Sequence, residues 1–215
     1  MRNFIKEYIK RLVFKYTEIG NADYKYNVEP AQLAEIINSL DTLSNVDGNI
    51  CEIGVARGMT TRFICEHLIN INFQGKYYCI DTFDSFTNED VKYEIKFREK
   101  SKYEISGFSY NNFDKWKKNF EKYDFLEAFK SDIKNFDLGR ISPIKFCFLD
   151  VDLYLPTKFV LENISKYMIS GGILLVDDVK DNDTWDGSYE AFMEYVKENN
   201  LNYKLVGNKS GLIKF

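Results

Sequence analysis

The chain has 215 residues, 45% hydrophobic and 16% aromatic, enough to bury the core of one large domain. Its formal charge is −4, with Lys and Arg spread along the whole length, so no basic excess points to nucleic acid. No run approaches the roughly 18 consecutive apolar residues of a membrane span, and the charged stretch from Met1 to Val13 lacks the apolar core and cleavage site of a signal peptide.

Phe4, Ile5, Tyr8, Ile9, Leu12 and Val13 recur at helical spacing. They predict an amphipathic N-terminal helix that packs on the domain or across a dimer. Residues 21–28 are polar and read as loop. Pro30 suits a helix start, and Leu33, Ile36, Ile37 and Leu40 give that helix one apolar face. Residues 1–45 are thus N-terminal helices. Asn45-Val46-Asp47-Gly48 then turns the chain into a first strand, Ile50 to Val55.

A helix follows from Thr60 to about Asn70. Gly75 precedes a second strand, Tyr77 to Ile80, which ends at Asp81. Residues 84–124 show no strand pattern and carry Tyr93, Phe97, Tyr103, Phe108, Tyr110, Phe113, Trp116 and Phe120. One or two helices with a mobile loop are expected there. A connection this long suits a lid, with plain helical packing of its aromatics as the alternative.

Phe125 to Phe129 reads as a third strand ending at Ser131-Asp132, and Ile144 to Leu149 as a fourth ending at Asp150. A helix is expected from Thr157 to Met168. Gly171-Gly172 reads as a turn into a fifth strand, Ile173 to Val176, which ends at Asp177-Asp178. A last helix spans Tyr189 to Asn199. Tyr203 to Val206 and Leu212 to Phe215, separated by residues 207–211, predict a terminal hairpin. Cys51, Cys65, Cys79 and Cys147 form no C-x-x-C pair, and three of them lie in apolar strands. Free buried thiols and a cytoplasmic setting are expected.

Strands alternating with helices imply an α/β, Rossmann-like fold: a mostly parallel seven-stranded sheet, helices on both faces and a terminal antiparallel hairpin. Such sheets bind ligands beyond the carboxyl ends of their strands. The acidic residues collect there, except Glu52, which lies inside the first strand.

The first turn, Glu52-x-Gly54-x-x-x-Gly58, lacks the second close glycine of a dinucleotide fingerprint, and no P-loop pattern occurs. An acid two residues before the glycine suits a ligand with a positive amino group, which points to S-adenosylmethionine. Gly54, Val55, Ala56, Gly58 and Thr60 would cradle it with backbone N–H groups. Asp81, with Thr82 beside it, suits ribose hydroxyls. Ser131 and Asp132 would meet the adenine, with Ile133 against the ring. Across the rim, Asp150 and Asp152 leave the fourth strand and Asp177 and Asp178 the fifth. Carboxylates so close repel and raise one another's pKa unless a cation joins them. Oxygen ligands alone, kept open to substrate, favour Mg²⁺ and speak against zinc.

The order Glu52-x-Gly54-x-x-x-Gly58, Asp81-Thr82-Phe83-Asp84, Leu149-Asp150-Val151-Asp152-Leu153-Tyr154 and Gly171-Gly172-Ile173-Leu174-Leu175-Val176-Asp177-Asp178 resembles the macrocin O-methyltransferase family. The resemblance runs from about Pro30 to Val179. It implies a class I, S-adenosylmethionine-dependent and Mg²⁺-dependent enzyme that methylates a sugar hydroxyl. It also implies that Asp150, Asp177 and Asp178 ligate the metal, with Asp152 the alternative first ligand. The family's Asp-Thr-Phe-Glu-Gly-Leu-Pro stretch appears here as Asp81 to Thr87 without its Gly and Pro. Some members place a lid histidine as base, but the sole histidine, His67, lies on the helix after the glycine turn. Where catechol-type relatives place a lysine, this chain has Leu153.

The general base is therefore open among Asp152, Tyr154, Lys158 and Asp84. Asp150, Asp152, Tyr154 and Lys158 are the candidate catalytic set. Trp185, in the acidic stretch after the fifth strand, suits a sugar platform. The expected partner is a sugar, glycan or other small-molecule acceptor, and a homo-oligomer is expected. A Mg²⁺-dependent phosphoryl-transfer or hydrolytic enzyme, and a non-catalytic S-adenosylmethionine-binding subunit, are the competing readings.

Overall fold

The computed structural model describes residues 2–21, 24 and 26–215. Residues 22, 23 and 25, part of the loop expected between the first two helices, lie outside the described set. Two helices open the chain, α1 (Arg2–Tyr16) and α2 (Pro30–Thr42). β1 (Asn49–Ile53), α3 (Met59–Asn70) and β2 (Tyr77–Asp81) follow. The long connection holds α4 (Asn88–Phe97) and α5 (Phe113–Phe120), as its helical spacing predicts. Then come β3 (Leu126–Lys130), β4 (Ile144–Leu149), α6 (Tyr154–Ile164), β5 (Met168–Val176), α7 (Asp186–Glu198), β6 (Lys204–Val206) and β7 (Ser210–Lys214).

The sheet order is β3-β2-β1-β4-β5-β7-β6. The first five strands in that order pair in parallel, and β7 runs antiparallel between β5 and β6. Alternate residues of β4 go to opposite faces. Cys147 and Leu149 join the layer formed by α6 and α7, while Phe146 and Phe148 join the layer formed by α2, α3 and α5. Burial on both faces explains why β4 reads as a continuous apolar run. The chain order reverses between β1 and β4, so the ends of these central strands flank the crevice where such sheets bind ligands.

Pro30 stands in the first turn of α2, and Glu29 with Gln32 closes a capping box before it. All four cysteines are free and buried. Among the described residues, no helix is long and apolar enough to cross a membrane.

Two expectations are corrected. Gly171 and Gly172 do not precede β5 but lie within it. The β4–β5 register shifts between Ile144 and Phe146, and Gly171, at φ 80°, forms the irregularity. The sequence shows the glycine pair but not whether it ends or kinks a strand. Second, α6 starts at Tyr154 rather than Thr157, because Pro156 is tolerated in a first turn whose N–H groups need no partner. Of the two placements expected for α1, its apolar face does not pack on the domain: Phe4 is 77% exposed and Leu12 40%.

Candidate active site

Two glycines shape the turn after β1. Gly54 has φ 85° and Gly58 φ 84°, a region L side chains avoid. A Cβ on Gly54 would overlap the Asp150 carbonyl, and one on Gly58 would meet the Phe120 and Trp116 rings at 2.6 and 2.7 Å. The turn is thus pressed between the end of β4 and the aromatic face of α5. Ala56, Phe83, Asp152 and Asp178 also adopt positive φ, at 44°, 48°, 64° and 56°. Each follows the carboxyl end of a strand, so backbone strain gathers along one rim.

Asp81 holds this turn in place. Its Oδ2 accepts from the Val55 N–H at 2.7 Å and the Ala56 N–H at 3.0 Å, and its Oδ1 accepts from the Phe83 N–H at 2.5 Å. Below the turn Glu52 is buried, 1% exposed. Its Oε2 accepts from the Thr61 hydroxyl at 2.7 Å, from the Tyr77 hydroxyl and from the Cys79 thiol. Burial pushes its carboxyl up to about 7, against the pull of the Tyr77 and Thr61 hydrogen bonds. The first strand acid therefore braces the turn from beneath while lining the cleft.

The cleft has a volume of about 190 Å³ and opens at the carboxyl ends of the strands. Gly54, Val55, Ala56, Thr60, Asp81 and Thr82 line one side. Ser131 and Asp132 line it beyond β3, where the Ser131 hydroxyl donates to the Asp132 carbonyl at 3.0 Å and Asp132 Oδ1 accepts from the Lys134 N–H at 3.0 Å. Gly58 is behind the turn and does not face the cleft. Asn111, from the loop before α5, lines the cleft with a buried side-chain oxygen that has no protein partner. The cleft along the turn, the carboxylates at the strand ends and this orphaned acceptor fit an adenosine-containing ligand.

Asp150, Asp177 and Asp178 meet across the cleft. Each offers one oxygen, all within 4.8 Å of one another. Oxygen ligands at 2.0–2.6 Å from one cation lie about 4–5 Å apart when opposed, so this donor set fits Mg²⁺ or Ca²⁺. Burial pushes Asp150 well above the usual carboxylate range, with Asp177, Asp152 and Asp178 adding to it. Burial likewise raises Asp152, and raises Asp178 to about 6.

Three unforeseen residues, Lys209, Gln32 and Ser210, bind this cluster. Lys209, from the turn between β6 and β7, donates to Asp177 Oδ2 at 3.1 Å and to Asp178 Oδ1 at 2.8 Å. Gln32, on α2, donates to Asp177 Oδ1 at 2.6 Å, and the Ser210 hydroxyl donates to the same oxygen at 3.2 Å. Lys209 sits in a polar hairpin loop and Gln32 in a helix; neither position carries a local signal of its distant partner.

Tyr154 and Lys158 are not brought into the cleft. The Tyr154 hydroxyl donates to Glu194 Oε2 at 2.7 Å, and Lys158 Nζ donates to that hydroxyl at 2.8 Å and to Glu194 at 3.0 Å. Those hydrogen bonds hold the Lys158 proton more tightly than usual, the opposite of what a base requires. Both side chains reach Glu194 on α7 instead. Asp152 and Asp84 remain on the cleft wall. His67 pairs with Asp41 at 2.8 Å between α3 and α2.

The aromatic connection divides in two. Trp116 and Phe120 stack at 4.3 Å and are buried against Phe83. Phe86, Phe108 and Tyr110 line the cleft, and Trp185 faces Phe86 at 5.6 Å and Phe108 at 6.3 Å. Helical packing and cleft wall are thus both present. Arg98 fastens α4 to α7 through Asp186 at 2.6 Å, while Glu94 accepts from the Tyr154 N–H at 2.8 Å.

Comparison with solved structures gives the O-methyltransferase NovP at TM-score 0.71 and 18% identity, covering 90% of this chain and 83% of that one. The calicheamicin methyltransferase CalS11 gives TM-score 0.66 and 20% identity, covering 85% and 78%. At these identities the likeness is one of fold. A sequence relative from Streptomyces olivaceus, an 8-demethyl-8-(2,3-dimethoxy-alpha-L-rhamnosyl)-tetracenomycin-C 4'-O-methyltransferase, is 27% identical over 142 residues. That match spans 62% of this chain and about half, 53%, of the relative. The model of the macrocin-O-methyltransferase (TylF) family matches residues 15–207, and the chain belongs to that family.

Proposed function

We propose that this protein transfers a methyl group from S-adenosylmethionine to a hydroxyl of a sugar or glycan-type small molecule, with help from Mg²⁺. The observation that carries the reading is the shared cleft. The glycine turn with Asp81 lies on one side, and the Asp150, Asp177 and Asp178 cluster on the other. Family membership and the sugar-directed activity in the Streptomyces olivaceus relative's name support the acceptor class.

S-adenosylmethionine would supply an electrophilic methyl group, and Mg²⁺ held by Asp150, Asp177 and Asp178 would lower the pKa of an acceptor hydroxyl. The chain's own residues position and exclude. Asp81 keeps the Gly54–Gly58 turn closed against β4 and offers its carboxylate at the ribose end. Ser131, Asp132 and Ile133 bound the far end of the cofactor pocket. Trp185, Phe86 and Phe108 form an apolar wall suited to the face of a sugar ring. Asp152, on the cleft wall beside the cluster, is placed to take the acceptor proton. Most of the acceleration would come from orientation in a water-poor cleft.

We also infer a cytoplasmic homo-oligomer, with the exposed apolar face of α1 packed against a second copy. Four free buried thiols suit a reducing compartment. Light scattering on the purified protein tests the oligomer, and a monomer at micromolar concentration would refute it.

The activity is tested by a methyl-transfer screen over nucleotide sugars and glycans, with Mg²⁺ and with excess chelator, alongside calorimetric titration of S-adenosylmethionine. Turnover that the chelator abolishes supports the reading. Full turnover in chelator removes the metal role. Cofactor binding without turnover on any acceptor favours the non-catalytic subunit.

A further inference from the structure

The metal cluster described above already holds a positive charge. Lys209 is only half-buried, yet its backbone is fixed on every side. Its carbonyl accepts from the Val179 N–H at 2.7 Å, directly beyond Asp178. The preceding residue, Asn208, donates its N–H to Glu29 Oε2 at 2.8 Å. The following residue, Ser210, donates its hydroxyl to Asp177. The ammonium group is thus placed by three tethers rather than by a free side chain reaching across solvent. It binds two of the three carboxylates that would ligate a metal.

Charge arithmetic gives this placement a consequence. Four carboxylates, Asp150, Asp152, Asp177 and Asp178, share the cleft wall. Buried charges of one sign are costly unless compensated. One ammonium compensates them in part, and a divalent cation does so more fully. Both draw on the same oxygens.

We propose that Lys209 is a resident counter-cation that holds the carboxylate cluster together before metal arrives and is displaced from Asp177 and Asp178 when metal binds. Metal binding is then an exchange of one cation for another. Lys209 weakens metal affinity and stabilises the metal-free fold. Once displaced, its ammonium stays within reach of the cleft, because the hairpin tethers keep its backbone in place. This inference rests on the metal reading above.

The test uses the full chain with Lys209→Met, which keeps the side-chain length and removes the charge. Mn²⁺ and Mg²⁺ are titrated by calorimetry without donor or acceptor, and melting is followed in chelator and in saturating metal. The expected result is metal affinity at least tenfold tighter in the variant. Its melting temperature should fall below wild type in chelator and recover in saturating metal. Equal or weaker metal affinity in the variant, with wild type binding metal normally, overturns the exchange but leaves the metal site standing. Absence of metal binding in both proteins overturns the exchange and the metal reading together. Binding in the variant alone supports the inference in its strongest form. Should Lys209→Met fail to fold, Lys209→Gln is measured in the same way.

Discussion

Gly54 lies against the carbonyl of Asp150, with no room for a Cβ between them. Its N–H donates to the Ile80 carbonyl at 2.9 Å, while the Asp150 N–H donates to Ile53 at 2.8 Å. The glycine turn and the Asp150 end of β4 are therefore packed on each other. Gly54→Ala should disturb both sides at once. We expect loss of about 2 kcal/mol or more of stability from the clash and the positive φ. Calorimetry should show weaker S-adenosylmethionine and weaker Mg²⁺ binding in the same variant. A variant that loses only one of the two would show that the contact does not couple them.

Trp185 stands on the cleft wall but outside the cofactor turn. Trp185→Ala should raise the acceptor KM by roughly tenfold, in line with loss of an aromatic platform. S-adenosylmethionine affinity and melting temperature should hardly change. Steady-state kinetics on the accepted sugar, with a parallel cofactor titration, separates these effects. An unchanged KM would remove Trp185 from the acceptor site.

The two carboxylate-side hydroxyl and amine candidates should behave differently from Asp152. Asp152→Asn should cut kcat by a factor of about 100 or more, the usual worth of a general base. Tyr154→Phe and Lys158→Met should keep activity within about threefold and cost about 1 kcal/mol or less, because both side chains bind Glu194 near the surface. Single-turnover rates and urea midpoints decide between them. Loss of chemistry in Lys158→Met with an intact fold would place that ammonium back in the mechanism.

Glu52 sets a pH dependence whose sign follows from its burial. The folded chain binds its proton with a pKa of about 7, against an ordinary value of 4.5. Between those values the folded state holds more protons than the unfolded state. Stability contributed by protonated Glu52 is therefore full below about 4.5 and is lost as pH rises towards 7. The loss is on the order of 3 kcal/mol. Urea midpoints measured in chelator from pH 5 to 7.5 should fall less steeply for Glu52→Gln than for wild type. Parallel slopes would show that Glu52 does not titrate in this window.

Much of this site is readable from sequence because parallel sheets place polar residues where apolar runs stop. Asp81, Ser131-Asp132, Asp150 and Asp177-Asp178 each follow a strand, and each lines the cleft. Glu52-x-Gly54-x-x-x-Gly58 is equally visible, because positive φ and close backbone approach demand glycine. The apolar run of β4 likewise predicts a strand buried on both faces. What escapes is long-range pairing. Gln32 and Asp177 are 145 positions apart, and Lys209 reaches Asp178 across 31. Tyr154 was misplaced for the same reason. Its hydroxyl pairs with Glu194 on α7, 40 positions away, which no local pattern shows. Asp81 shows a second limit: an acid that sequence assigns to a ligand also holds its own backbone turn.

The antiparallel hairpin has a bearing on how this chain assembles. β7 slots between β5 and β6, and Lys209 and Ser210 reach Asp177 only when that strand is seated. A chain synthesised as far as Val206 has all four cleft carboxylates but neither Lys209 nor the strand that pairs with β5. The acidic crevice is thus the last part of the protein to be completed. Until β7 docks, Asp150, Asp152, Asp177 and Asp178 face one another without the Lys209 ammonium and the Ser210 hydroxyl.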